Sequence, residues 1–312
     1  MADAFWRIGA RIFRAVKRIG FLSPLQHALL RVANNLISPL SSEVNVSLPG
    51  GQVITLPPNL PRARTYLAGL YEREVTSLIQ VLLPTGGAFV DVGAFCGYYV
   101  VLASWLVGPE GLVFAFEPSP HNFSYLKFNI AANCCRNVYA VNEAVESCVR
   151  TTHLVIHHEA DHCWTTQSAL RGEYVNVRST SLDAFFAARY WPSVDLVKID
   201  VEGGELEVLR GMAQLSLRNP QMNVIMEFDP FNLRRAGARP ADIESTIWEL
   251  GFRTGYVIEK GMVAFRIGDG LPNLRGTYNL LLTKVERLEL DVERAREVHG
   301  GIPDVWPQGR RT

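Results

Sequence analysis

A chain of 312 residues with 48% hydrophobic side chains can bury a sizeable core, as one large domain or as one domain with appendages. Thirty-one basic residues balance thirty-one acidic ones, so no global field gathers nucleic acid or an anionic membrane, and such a partner would need a local patch. The five cysteines, Cys96, Cys134, Cys135, Cys148 and Cys163, form no C-x-x-C pair, which excludes a zinc ribbon or disulfide scaffold and points to a reducing, cytoplasmic setting.

Phe5, Ile8, Ile12, Val16 and Ile19 recur at helical spacing, which predicts an amino-terminal amphipathic helix. Arg7, Arg11, Arg14, Lys17 and Arg18 interrupt it too often for a signal peptide or a membrane span. Such a helix packs as a cap or dimer element, or lies on a bilayer through its cationic face as a peripheral contact. Two β-prone runs, 43–48 and 52–56, joined by Pro49, Gly50 and Gly51, predict a hairpin. A proline-rich connector over 57–64 precedes a helical pattern over 71–83.

From Ala88 short apolar runs alternate with helical segments, the signature of β-α-β units and a mostly parallel sheet. Strands are expected over 89–92, 113–117, 138–141, 194–200 and 224–228, with helices over 98–107, 123–132, 205–215 and 241–250. A β-prone pair, 152–156 with 174–179, reads as an insertion, and 255–267 with 277–283 reads as antiparallel edge strands. The expected organisation is a helical and hairpin extension over 1–84, an α/β domain over 85–284, and a carboxyl-terminal helix and flexible tail over 285–312. The domain should hold a seven-stranded sheet with helices on both faces.

The strongest local signal is Phe89-Val90-Asp91-Val92-Gly93-Ala94-Phe95-Cys96-Gly97, a strand that turns into a helix through two glycines. Gly93 and Gly97 let a ligand approach the backbone at the carboxyl end of the strand, and Asp91 can accept from a ligand ammonium or from turn amides. The next strand ends Phe116-Glu117-Pro118, which puts Glu117 where such folds bind ribose hydroxyls. The turn lacks the G-x-G-x-x-G pyrophosphate cradle of dinucleotide enzymes. A ribose clamp without that cradle suits S-adenosylmethionine.

These residues resemble the FkbM-type methyltransferases, and the likeness runs from about Tyr71 to Thr283. It includes Asn129 and Asn133, Ala144-Val145 and Ser181-Leu182-Asp183. Its most specific block is Val197-Lys198-Ile199-Asp200-Val201-Glu202-Gly203-Gly204-Glu205-Leu206-Glu207-Val208-Leu209-Arg210-Gly211. The chain departs from the family at Phe95, where the donor turn usually carries Asn. The resemblance implies a class I Rossmann-like fold and methyl transfer from S-adenosylmethionine to an oxygen, often a hydroxyl of a sugar or secondary metabolite. It also implies that Asn142 and Glu143 sit near the adenine, with Glu143 accepting its exocyclic amine.

Lys198 and Asp200 lie two apart on a strand and share a face, with Glu202 following at its carboxyl end. Asp200, then Glu202, are the candidate general bases, with Lys198 stabilising the anion. Glu227 and Asp229, at the end of the fifth strand, would make an oxygen-rich site fit for substrate or a divalent metal such as magnesium. A plainer reading pairs Lys198 with Asp200 as a buried ion pair and uses Glu202 and Glu205 to cap the next helix.

His158-Glu159-Ala160-Asp161-His162 matches H-E-x-x-H, the motif of a zinc hydrolase. It follows a β-prone run and lacks a well-spaced third ligand, so a loop over the acceptor is preferred, with His157, His158, His162 or Trp164 touching substrate. A non-catalytic S-adenosylmethionine-binding protein is the third reading. The expected partner is a small-molecule acceptor, with no specific nucleic acid; a homo-oligomer is compatible with the chain.

Overall fold

The computed structural model describes residues 40–156, 163–166 and 174–286, with 156 and 163–166 described by their backbone alone. The amino-terminal helix and the carboxyl-terminal tail lie outside the described residues. Strands β1 (Val44–Ser47) and β2 (Val53–Leu56) form an antiparallel hairpin, followed by helices α1 (Ala63–Leu67) and α2 (Arg73–Leu82). Then come β3 (Ala88–Val92), α3 (Tyr98–Val107), β4 (Leu112–Phe116), α4 (Pro120–Ala132) and β5 (Val138–Val141). Short β6 (Ala144–Val145) leads into β7 (Arg150–Ile156), β8 (Cys163–Thr166) and β9 (Tyr174–Thr180), then α5 (Leu182–Ala187). The chain continues with β10 (Leu196–Ile199), α6 (Glu205–Arg210), α7 (Ala213–Arg218), β11 (Asn223–Phe228), α8 (Pro230–Arg235) and α9 (Pro240–Glu249). It ends with β12 (Thr254–Val257), β13 (Val263–Arg266) and β14 (Tyr278–Thr283).

The central sheet runs β13-β12-β14-β11-β10-β3-β4-β5. Its five consecutive neighbours from β11 to β5 pair in parallel, and β14 turns antiparallel against β11. Seven strands match the expected count, and β13 is an eighth. The segment 255–267 divides in two because a 3-10 turn over Ile258–Lys260 and Gly261, at φ +74°, reverse the chain. The chain order reverses between β3 and β10, where the crevice of an open α/β sheet opens.

Period-two alternation divides the core between the two sheet faces. Val90, Val92, Phe114, Phe116, Val197, Ile199, Val224 and Met226 pack with α5, α6, α7 and α9 residues such as Phe186, Leu209, Leu215 and Ile247. Phe89, Val113, Ala115, Leu196 and Ile225 pack on the opposite face with Leu78, Ile79, Val100 and Leu126, and with Ile54 and Leu56 of the hairpin. Each fully buried side chain of this size contributes roughly 1.5–3 kcal/mol. The hairpin and α2 are therefore part of the wall of that second face.

The expected 205–215 helix is two short helices. Gly211 lies between them, where a Cβ would stand 2.2 Å from the Glu146 carbonyl oxygen. The helix expected over 123–132 begins earlier, at Pro120, where Ser119 accepts from the Asn122 amide. The inserted β-prone pair belongs to a separate four-stranded sheet, β6-β9-β7-β8.

Candidate active site

Alternation also decides which polar side chains meet at the crevice. Asp91 follows Phe89 by two, Lys198 follows Leu196, and Glu227 follows Ile225, so all three occupy the α2/α3 face at the carboxyl ends of their strands. The parallel register sets Lys198 beside Asp91.

In the turn after β3, Gly93 and Gly97 adopt φ +89° and +90°, a region glycine enters without steric cost. A Cβ on Gly93 would stand 1.9 Å from the Asp200 carbonyl oxygen, so the glycine lets the β3 and β10 ends close on each other. The Gly93 and Ala94 amides donate to the Phe116 carbonyl at 3.0 and 2.9 Å. The Phe95 amide donates to Glu117 Oε2 at 2.9 Å, and the Ser119 amide donates to Oε1 at 2.8 Å. These are backbone contacts, so the departure at Phe95 leaves them intact. Burial pushes the Glu117 carboxyl up to about 7 against the pull of both amides.

Asp91 is 1% exposed, and its Oδ1 has no hydrogen-bond partner. Burial pushes its carboxyl up to about 7; Lys198 opposes the shift, while Asp200 and Glu72 add to it. Both Asp91 and Glu117 line one cavity, together with Glu143. Glu143 Oε1 lies 3.4 Å from Arg178 Nε. Asn142 is turned to another use: its Nδ2 donates to the Glu117 and Pro118 carbonyls at 2.8 and 3.1 Å, bracing the loop that carries Glu117.

The same cavity is lined by Lys198, Asp200, Glu202 and Glu227. Lys198 Nζ donates to Asp200 Oδ2 at 2.7 Å from a buried position. Burial works against its charge, but Asp200, Glu72 and Asp91 outweigh it and hold the ammonium above its ordinary value. Glu202, at φ +56°, accepts from Asn232 Nδ2 at 2.8 Å. Glu227 is 7% exposed, and burial, followed by Asp200 and Glu202, raises its carboxyl well above the usual range. Carboxylate oxygens of Asp200, Glu202 and Glu227 lie within 4.8 Å of one another. Asp229 does not join them. It caps α8, accepting from the Phe231 and Asn232 amides at 2.7 and 3.2 Å and from the Thr277 hydroxyl at 2.5 Å. Glu205 Oε1 accepts from the Gly203 amide at 3.1 Å, just before α6.

One wall was not foreseen from the sequence. Arg62, Tyr66, Tyr71, Tyr98 and Tyr99 line the cavity opposite the carboxylates. Tyr66 and Tyr71 stack with centroids 3.7 Å apart, and Tyr98 meets both edge-on. The Tyr99 hydroxyl donates to Glu72 Oε2 at 2.8 Å, and Lys198 Nζ sits 4.9 Å from the Tyr99 ring centroid. Two signals were available. Tyr98 and Tyr99 directly follow Gly97, and Glu72 is the N-cap residue at the start of α2, whose Val75, Thr76 and Ile79 are buried. His157, His158 and His162 lie outside the described residues, as does the side chain of Trp164; Leu154 on β7 does line the cavity.

A crevice with a ribose-side carboxyl, an unpartnered Asp91 oxygen and no pyrophosphate cradle suits a cationic nucleoside, and the protein is an S-adenosylmethionine-dependent methyltransferase. Within that class the Methyltransferase FkbM domain matches residues 91–254, more than half of the 312 residues, and the chain belongs to the FkbM methyltransferase family. No curated protein matches the chain. Among solved structures it is similar to a precorrin-6y C5,15-methyltransferase from Geobacter metallireducens GS-15, at 15% identity over 68% of this chain and 87% of that one, with a TM-score of 0.39. It is similar to a SAM-dependent methyltransferase from Aquifex aeolicus, at 14% identity over 68% and 89% of the two chains, with a TM-score of 0.39. Methyltransferase FkbM from Methylobacillus flagellatus KT shares 13% identity over 70% of this chain and 52% of that one, with a TM-score of 0.42. Among the described residues no helix is long and apolar enough to cross a membrane.

Proposed function

We propose that the protein methylates a hydroxyl of a sugar or secondary-metabolite acceptor. The observation that carries this reading is the closure of Gly93 on the Asp200 backbone, which joins the donor turn and the carboxylates of Asp200, Glu202 and Glu227 in one cavity. The residues fit the donor. Asp91 Oδ1, buried and unpartnered, would take the ammonium, Glu117 the ribose hydroxyls, and Glu143 the adenine side. When bound, S-adenosylmethionine supplies an already activated methyl group on a cationic sulfur.

The chain's own work is then alignment and proton removal. Asp200 accepts the acceptor hydroxyl's proton on a carboxylate oxygen as the carbon–oxygen bond forms, with Glu202 as the second candidate. Lys198 Nζ, at 2.7 Å, holds the Asp200 carboxylate in position. Glu227 and the tyrosine wall hold the acceptor, the rings offering flat apolar faces to a sugar's CH groups. The reaction is placed in the cytoplasm on the strength of the sparse cysteines.

The test is incubation with methyl-labelled donor and a panel of polyols, sugars and amines. Label in a base-stable ether, reduced about 100-fold or more in Asp200→Asn with donor affinity kept, is the expected result. Label only on nitrogen, or full turnover in Asp200→Asn, would sink the reading.

A further inference from the structure

Three carboxyl side chains from three places in the chain converge at one point of the cavity. Asp200 and Glu202 come from the segment after β10 and Glu227 from the end of β11, with oxygens within 4.8 Å of one another. Lys198 Nζ donates to Asp200 Oδ2 at 2.7 Å. Glu202 Oε2 is held by the Asn232 amide, which fixes the carboxylate without neutralising it.

A second observation concerns Glu227 by itself. Its side chain is 7% exposed, faces the cavity, and has neither a hydrogen bond nor an ion pair among the described residues. A carboxyl this buried is normally partnered, because desolvation without a compensating bond is expensive. Met226 and Phe228 flank it on β11, and the Nδ2 of Asn279, its register partner on β14, donates to Glu259 Oε1 at 2.8 Å rather than to Glu227. The missing partner must approach from the cavity side.

We propose that Asp200, Glu202 and Glu227 form a divalent-cation site of magnesium or manganese type. All-oxygen, carboxylate-rich donor sets select hard ions, and among the described residues no sulfur or imidazole donor shares the cluster. One oxygen from each residue leaves about half of an octahedral ion's positions for water and acceptor oxygens. The site deepens the reading above, resting on its placement of the acceptor hydroxyl beside these carboxylates. An ion there would make the hydroxyl acidic enough to lose its proton to a carboxylate oxygen that the ion leaves uncoordinated.

The experiment is a Mn2+ titration of the full chelator-treated chain, followed by electron paramagnetic resonance, without donor or acceptor. Ion binding is thus scored separately from methyl transfer, and either can fail alone. One Mn2+ per chain, displaced by Mg2+ and weakened at least about tenfold in Glu227→Gln and Glu202→Gln but within about twofold of wild type in Glu143→Gln, is expected. Glu143 lines the cavity outside the cluster, so equal loss in Glu143→Gln would mean diffuse attraction and overturn the site. No stoichiometric Mn2+ on the wild type, or equal binding by wild type and Glu227→Gln, would also overturn it. Thermal melts and circular dichroism establish that each variant is folded; if a variant is not, the wild-type stoichiometry alone decides.

Discussion

Asn129 and Thr55 exchange two hydrogen bonds across 74 residues: the Thr55 amide donates to Asn129 Oδ1 at 2.7 Å, and Asn129 Nδ2 donates to the Thr55 carbonyl at 2.9 Å. The same Nδ2 donates to the Cys96 carbonyl at 2.8 Å. A side chain on α4 thereby acts as one residue of a β-ladder for the hairpin edge and also anchors the donor turn. Four residues on, Asn133 repeats the exchange with Val53 at 3.1 and 2.8 Å.

Asn129→Leu strands one amide and two carbonyls and should cost about 3 kcal/mol or more in chemical denaturation. Asn133→Leu, half-buried, should cost nearer 1 kcal/mol. Equal, small losses would mean that the hairpin is held by its apolar contacts alone.

Glu117 gives a sharper contrast. Both of its oxygens accept backbone amides, so Glu117→Gln must turn an NH2 toward a donor. We expect Glu117→Gln to lose about 1–3 kcal/mol despite its near-identical shape. Glu117→Ala should also lose S-adenosylmethionine binding in calorimetric titration. A Gln variant as stable as wild type would show that water serves one of the two amides.

Gly93→Ala introduces a Cβ 1.9 Å from the Asp200 carbonyl at a φ of +89°. Relief requires parting β3 from β10, so a loss of about 3 kcal/mol or more and no measurable donor binding are expected. Gly237→Ala is the control: its φ is also positive, at +83°, but no atom lies within 4 Å of the added Cβ. It should cost about 1 kcal/mol, read from melting curves.

Burial raises Asp91 from 3.8 to about 7, and Glu117 and Glu205 from 4.5 to about 7. For a carboxyl raised on folding, the folded state holds a proton that the unfolded state has released, so its stabilising contribution is present below about pH 4 and fades as pH rises through about 7. The ligand-free protein should therefore melt at a lower temperature at about pH 8 than at about pH 5.5 from these groups, with a flatter profile in Asp91→Asn. Affinity for the cationic donor should run the other way, strengthening as Asp91 ionises. Calorimetric titrations across that range check the sign, and an unchanged pH profile in Asp91→Asn would remove Asp91 from donor binding.

The sheet was legible because β3, β4, β10 and β11 are short apolar runs ended by Gly93, Glu117, Asp200 and Asp229, and nothing in tertiary packing contradicts that pattern. The close approach at Gly211 was not, because the Glu146 backbone it makes room for is 65 residues away in the chain. At the site, strand alternation was enough to bring Lys198, Asp200 and Glu227 together. Asp229 misled, since a carboxylate one residue from a helix-opening proline is equally a capping residue, and the adjacent Pro230 was the clue. Glu72 was passed over although it falls within the helical pattern over 71–83, because only docking of α2 on the sheet turns its carboxyl inward.

The cavity sets six carboxyl side chains, Asp91, Glu117, Glu143, Asp200, Glu202 and Glu227, against the two cations Arg62 and Lys198. Methyl transfer discharges the donor's sulfur from cationic to neutral, so this imbalance grips the spent nucleoside less firmly than the fresh one. Under the proposed donor placement, the field that draws in the cationic donor also favours release of the neutral by-product.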